Sequence, residues 1–146
     1  MERDIFTGGI GAADVQVGLE FHKTIDYDRR LMRRSLVKGA GIVRKEARRM
    51  ISRRAVSAPS DMPGMQTGAM RRAIGIVSRG TKGGWVKIGV RKTAEMQGFY
   101  PAFLFYGSTK TGLAKRGNFV VAALDNKREA VRDQIRGDLK HALVPR

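Results

Sequence analysis

Apolar positions along this chain switch period several times, and each switch predicts an element. In VQVGLEF, Val15, Val17, Leu19 and Phe21 alternate with other residues and share one face of a candidate strand. Between about residues 28 and 54 the period lengthens. Met32, Leu36, Ala40, Val43, Ala47 and Met50–Ile51 recur at three- and four-residue steps, the stripe of a helix with one buried face. Asp26 and Asp28 stand before it as candidate caps, because a carboxylate satisfies free amides at a helix start. Lys38-Gly39-Ala40-Gly41 interrupts the stripe. An interior glycine costs about 1 kcal/mol relative to alanine, so a bend or a break between two helices is expected there.

The segment from Ser57 to Gly68 carries two prolines and two glycines and reads as a loop. After Thr67-Gly68 the pattern returns to a period of two. Ile74, Ile76 and Ser78 share one side of a strand and Val77 faces the other. Arg79 to Gly84 forms a hairpin-like connector. On the return strand, WVKIGVR, the apolar set Val86, Ile88 and Val90 is expected to face the core. KTAEMQG is a further connector, and FYPAFLFYG reads as a strand or extended edge whose Pro101 disfavours a central place. FVVAAL reads as a strand or as the first turn of a helix. Asp125 is a candidate cap for a last helix over 126–143, with Val131, Ile135, Leu139 and Ala142–Leu143 as its packing stripe. The order predicts an α+β fold, in which a small antiparallel sheet packs against a long N-terminal helical region and a C-terminal helix. Residues 1–25 form an arm with the candidate first strand, and 26–146 form one α+β domain.

Composition narrows the function. The 146 residues suffice for one domain with a core. No cysteine is present, which excludes disulfides, thiolate metal sites and cysteine nucleophiles. His22 and His141 lack ligand-like spacing, so neither a metal nor a cofactor is expected. No secretion leader is read in MERDIFTGGIGAADV, and no apolar run approaches the ~20 residues of a membrane span. A soluble protein without a membrane partner is expected. HExxH, GxSxG and CxxC are absent, and GSTKTG lacks the GxxxxGK[ST] order of a phosphate loop. No catalytic constellation emerges, so no enzyme is expected.

Charge points to partners. Lys and Arg number 29 against 13 Asp and Glu, a net charge of +16. Such a field attracts polyanions and repels further copies of itself. Residues Arg29 to Arg54 hold 11 of the basic residues against one acid, Glu46. Arg29, Arg30, Arg33, Arg34, Arg44, Arg48 and Arg49 are candidate contacts to nucleic acid or to an acidic protein, beside the plain alternative of a solvated helix face. A second candidate region runs from Phe99 to Leu124. Its rings either pack and contact other subunits or stack on bases. Tyr106, Ser108, Lys110, Lys115 and Arg116 are its candidate contact residues, on a glycine-rich loop expected to order on assembly.

Three segments taken in order carry a resemblance. RRMISRRAVSAPSDMPGMQTGAMRRAIGI resembles a helix followed by an "aPv…TGxLrxsi" element, FYPAFLFYGSTKTG resembles "YAxfvExGt", and GNFVVAAL resembles "PFlxpAl" before a terminal helix. Together they resemble the tail-completion, or neck, proteins of long-tailed bacteriophages and prophages, over roughly residues 28–143. Thr67 and Gly68 match the family's Thr-Gly, Met70 its leucine and Ile74 its later apolar position. Tyr100 matches its tyrosine, Gly107 opens its Gly-Thr, and Phe119 and Ala123 match the last segment. Phe105-Tyr106 stands near the usual acid, and Asn118 where proline is common. The resemblance implies a non-enzymatic virion protein at the head–tail junction, assembled in the host cytoplasm. It implies a homo-oligomeric ring, a hexamer, around the DNA passage. Tail terminator or tail tube proteins and head-side connector or stopper proteins would be its partners, with nonspecific contact to packaged DNA.

Overall fold

A computed structural model describes residues 13–16, 25–79, 84–96, 98 and 100–145. The arm before residue 13, the strand positions Val17, Leu19 and Phe21, His22, most of the Arg79–Gly84 connector and Phe99 lie outside the described residues.

The scaffold is a pair of long helices. Helix α1 spans Arg29–Met50, and Asp28 caps it by accepting hydrogen bonds from Arg30 N at 2.8 Å and Leu31 N at 3.1 Å. Its stripe is buried as the periodicity requires, with Leu36, Ala40, Val43 and Ala47 almost inaccessible. The expected bend or break at Gly39–Gly41 does not occur: α1 is a single helix. The reason lies in its partner, helix α4 (Phe119–Leu139). A Cβ on Gly39 would stand 3.2 Å from Val131 Cγ1, so the missing side chain lets α4 approach. Burial of Val131 and Ile135 against α1 offsets the intrinsic cost of glycine.

Polar groups fasten the same interface. Lys38 Nζ lies 3.4 Å from Asp138, whose carboxyl is held below its ordinary value first by a hydrogen bond from Gln134 and then by Lys38. Buried Glu46 accepts from Arg49 Nε at 3.0 Å and Nη2 at 2.6 Å, with Lys127 of α4 at 4.0 Å. Its pKa is lowered from 4.5, chiefly by the Arg49 hydrogen bonds and against the opposing effect of burial. A depressed carboxyl stabilises the fold above its unfolded pKa and loses that contribution as pH falls through the folded value. Glu46→Gln is therefore expected to melt below the parent at pH 7. The gap should close as pH is lowered below 4.5. Thermal melts of both chains across that range check this, and a gap that widens on acidification would contradict it.

Helix α4 resolves the ambiguity of FVVAAL in favour of a helix. Asn118 Oδ1 accepts from Val120 N and Val121 N, both at 3.1 Å, so Asn118 is the cap. Asp125, expected to cap, instead lies inside the helix and pairs with Arg128 at 2.6 Å. The helix also stops sooner than the stripe suggested. Leu143–Pro145 form strand β5, antiparallel to β2 (Ile25–Tyr27), and Asp28 N donates to Ala142 O at 2.8 Å. Main-chain bonding between the two flanks of the helix pair ends α4.

A three-stranded antiparallel sheet lies against α1 in the order β1 (Ala13–Gln16), β4 (Trp85–Val90), β3 (Ile74–Val77). Ile74 is paired with Val90 and Ile76 with Ile88. Val86, Ile88 and Val90 face the core and are inaccessible, as alternation predicts. A short helix, α2 (Ala69–Ala73), leads into β3. FYPAFLFYG is not a strand. Pro101–Tyr106 form helix α3, with Pro101 at its first turn, where its missing N–H costs nothing and its fixed φ suits the helix. Gly107 closes α3 at φ 74°, donating to Phe103 O at 2.8 Å. The architecture is α+β: a small antiparallel sheet packed with a long N-terminal helix and a C-terminal helix.

Candidate functional site

Two surfaces of unlike chemistry stand out. The first is built around α3. Phe105 stacks on buried Phe119 with ring centroids 5.9 Å apart, and Leu104 packs against the core, so the helix is anchored along one side. Residues three apart share a helix face. Phe103 and Tyr106 therefore project together, 56% and 69% exposed. Across a groove of about 620 Å³, Val56 stands 73% exposed, and Tyr100, Met96 and Leu113 line the walls. Surface apolar residues are ordinary singly; here Val56, Tyr100 and Phe103 line one groove on a fixed frame.

The frame is main chain. Ser108 N and Leu113 N exchange bonds with each other's carbonyls at 2.9 and 3.0 Å. Ser60 N donates to Lys115 O at 2.9 Å, Gly117 N to Asp61 O at 2.8 Å and Arg116 N to Leu104 O at 2.8 Å. GSTKTGLAKRGN is thus tied to α3 and to the 57–68 loop within the single chain, contrary to the expectation that it orders on assembly. Gly107 is essential to that tie, since a Cβ there would lie 2.7 Å from Leu113 O in a backbone conformation that already disfavours side chains.

The residues anticipated on this loop divide. Tyr106, Lys110 and Lys115 are exposed and lie along one concavity with Phe103. Ser108 is half-buried and acts through its backbone. Arg116 is a latch: Nε donates to Ser57 Oγ and Nη1 to Ala114 O, both at 3.0 Å. The positions that carried the resemblance shape the frame. Thr67 Oγ1 accepts from Ala69 N at 3.3 Å, Gly68 turns the chain at φ 74° into α2, and Met70, Ile74, Phe119 and Ala123 are buried. Tyr100 starts α3 and is partly exposed on the groove.

The second surface is cationic and joins α1 to the sheet. Arg29, Arg30 and Arg34 are exposed on α1, and Arg44 is half-buried. Arg33, Arg48 and Arg49 are engaged within the fold: Arg49 with Glu46, Arg33 with Ser78 O at 2.6 Å, and Arg48 with Arg72 O at 3.3 Å and Ile74 O at 3.0 Å. Burial, followed by repulsion from Arg44 and Arg71, lowers the Arg48 pKa. Beside it a concavity of about 570 Å³ is lined by Lys45, Arg48, Arg49, Arg53, Arg71 and Lys127, with the acid Glu46 and the apolar side chains of Ile42, Ile51, Met65 and Ala130. Val56, Arg71 and Arg91 were not singled out from sequence. Only the three-dimensional neighbours mark them, because none differs in pattern from the other apolar or basic positions.

Among the described residues no group of three or more His, Cys, Asp or Glu is placed to hold a metal, and no helix is long and apolar enough to cross a membrane. His141 lies exposed just past α4.

No curated protein and no solved structure matches the chain. A family model described as "Bacteriophage HK97-gp10, putative tail-component" matches residues 19–120. That span contains α1, the sheet strands β3 and β4, α3 and the loop that ties it down. The motif positions other than Ala123 fall within it, and the chain is a member of the HK97-gp10-like family of phage tail-completion proteins.

Proposed function

We propose that this protein completes the head-proximal end of the phage tail and joins it to the head-side connector, as a sixfold ring of identical subunits around the DNA passage. The observation that carries the reading, beyond family membership, is the exposed Val56, Phe103 and Tyr106 set held on a hydrogen-bonded frame. A rigid apolar surface costs little to order on association, so its burial is available for assembly. Tail terminator or tail tube proteins would meet one side of the ring and connector or stopper proteins the other. Tyr106, Lys110 and Lys115 lie beside the apolar set and serve as the polar rim of that contact.

Omitting this protein during virion assembly is expected to give filled heads and separate tails, with infectious particles lost. Electron microscopy and titre of such preparations check it. Joined, infectious particles at the normal yield would defeat the proposal.

A further inference from the structure

The outer edge of β3 has an unusual finish. Arg91 N donates to Ala73 O at 3.1 Å, so Ala73, and by alternation Gly75 and Val77, direct their main chain toward β4. Ile74, Ile76 and Ser78 therefore direct their carbonyls away from the sheet. Each of these three carbonyls accepts from a different arginine: Ile74 O from Arg48 at 3.0 Å, Ile76 O from Arg91 at 3.2 Å, and Ser78 O from Arg33 at 2.6 Å. Arg33 and Arg48 come from α1. Arg91 comes from the end of β4, its stem crossing Gly75, where a Cβ would lie 3.6 Å from Arg91 Cδ. One edge strand is thus overlaid by three guanidinium groups from two elements.

This finish has two consequences. The guanidinium groups lying over the outward carbonyls disfavour pairing of an extended segment of another protein with this edge. Arg33 and Arg91 meanwhile keep most of their capacity, since a guanidinium has five N–H donors and their bonds to the edge use only Nη2; Arg48, whose Nη2 also donates to Arg72 O and whose Nε is buried, keeps its Nη1 group. Among the described residues no acid forms an ion pair with Arg33, Arg48, Arg71 or Arg91. Alternate residues on a strand are about 6.8 Å apart, so the row repeats at a spacing suited to successive charges on a linear polyanion. Arg71, whose Nε donates to Arg48 O at 3.2 Å, extends the row beyond Arg48.

We infer that this arginine-lined edge of β3 is a contact surface for the phosphate backbone of DNA. The carbonyl contacts hold the arginine heads in place before binding, which lowers the entropy lost when a phosphate docks. The exposed rings belong to the α3 surface, so the edge contacts phosphates without stacking on bases, and binding is independent of sequence. A covered main chain and a linear row favour a phosphate backbone over an acidic protein strand. The inference deepens the proposed place beside the DNA passage, and its test is independent of particle assembly. Failure to bind DNA leaves the joining role standing, and failure to join heads to tails leaves the DNA contact standing.

The test is binding of the full chain to a labelled 30-bp duplex, followed by fluorescence anisotropy from 50 to 200 mM salt. The parent should bind at low salt with a steep salt dependence. R33Q/R91Q should lower the slope of log affinity against log salt by about 2, and each single variant by about 1. The single variants decide the matter if the double variant melts below the assay temperature. R128Q/R132Q, at exposed positions of α4 outside both surfaces, changes net charge equally and should leave the slope as it is. Absence of binding at 50 mM salt would overturn the inference, as would equal losses in the two double variants. So would polyglutamate that displaces the duplex at a lower charge concentration than unlabelled duplex does, since that would assign the row to an acidic protein.

Discussion

Phe103→Asp combined with Tyr106→Asp is expected to abolish incorporation into particles while the chain still folds. Both side chains lie on the exposed side of α3, whereas Leu104 and Phe105 anchor the helix from the other side. Surface replacements of this kind usually change stability by less than about 0.5 kcal/mol. An interface reacts differently. Two large apolar contacts are lost, and two carboxylates must be dehydrated without partners, which costs several kcal/mol each when burial is complete. Purified variant and parent should share a melting temperature within a few degrees. The variant should be missing from particles assembled with it as the sole copy, read by mass spectrometry of gradient-purified virions. Normal incorporation at parental titre would remove the α3 surface from the assembly contact and leave the family assignment untouched.

Phe119→Ala should produce the largest loss of stability of any single change. Phe119 is inaccessible, opens α4 and stacks against Phe105, so it joins the helix pair to the α3 frame. Truncating a buried phenylalanine costs about 3–5 kcal/mol, a large share of the roughly 5–15 kcal/mol that holds a domain together. For a chain of this size the melting temperature should fall by about 6–20 °C. Phe119→Leu keeps most of the volume and should lose much less. Equal losses in the two variants would show that the site collapses around the smaller side chain and that the stacked pair adds little. The alanine variant should also loosen the 107–117 loop, visible as faster amide exchange at Leu113 and Arg116, whose N–H groups bond within the frame.

The two predictions separate the roles of neighbouring rings. Phe103, Phe105 and Tyr106 fall within four consecutive sequence positions, yet one ring is structural and two are presented to solvent. Spacing at two-residue intervals made FYPAFLFYG resemble a strand, in which Phe103 and Phe105 would share a face. In a helix they do not. A six-residue helix is too short for a period of 3.6 to declare itself, and Pro101 fits either reading: an edge strand or a first helical turn. The helix is decided by anchoring, through Phe105 on Phe119 and Gly107 under Leu113.

The arginines show the same division. Arg33, Arg34, Arg48 and Arg49 are alike in sequence, being paired basic residues on one helix. Arg34 is exposed, Arg49 clasps Glu46, and Arg33 and Arg48 reach main-chain carbonyls at the β3 edge. No local pattern separates them, because the groups they bind lie 26 and 45 residues away along the chain for the two edge contacts.

Sequence alone determined the long elements of this protein: the buried stripe of α1, the core-facing set of β4, the loop from Ser57 to Gly68 and the body of a final helix beyond residue 126, whose start at Phe119 it left open. These follow from periodicity and from residues that bond to their own neighbours, both of which are local. The motif order also led to the family. Tertiary structure decided the continuity of α1 through Gly39, the helical state of α3, the β2–β5 pairing and the separation of structural from exposed arginines. Each of these depends on a partner distant in sequence, where a close approach or a main-chain hydrogen bond outweighs the local preference.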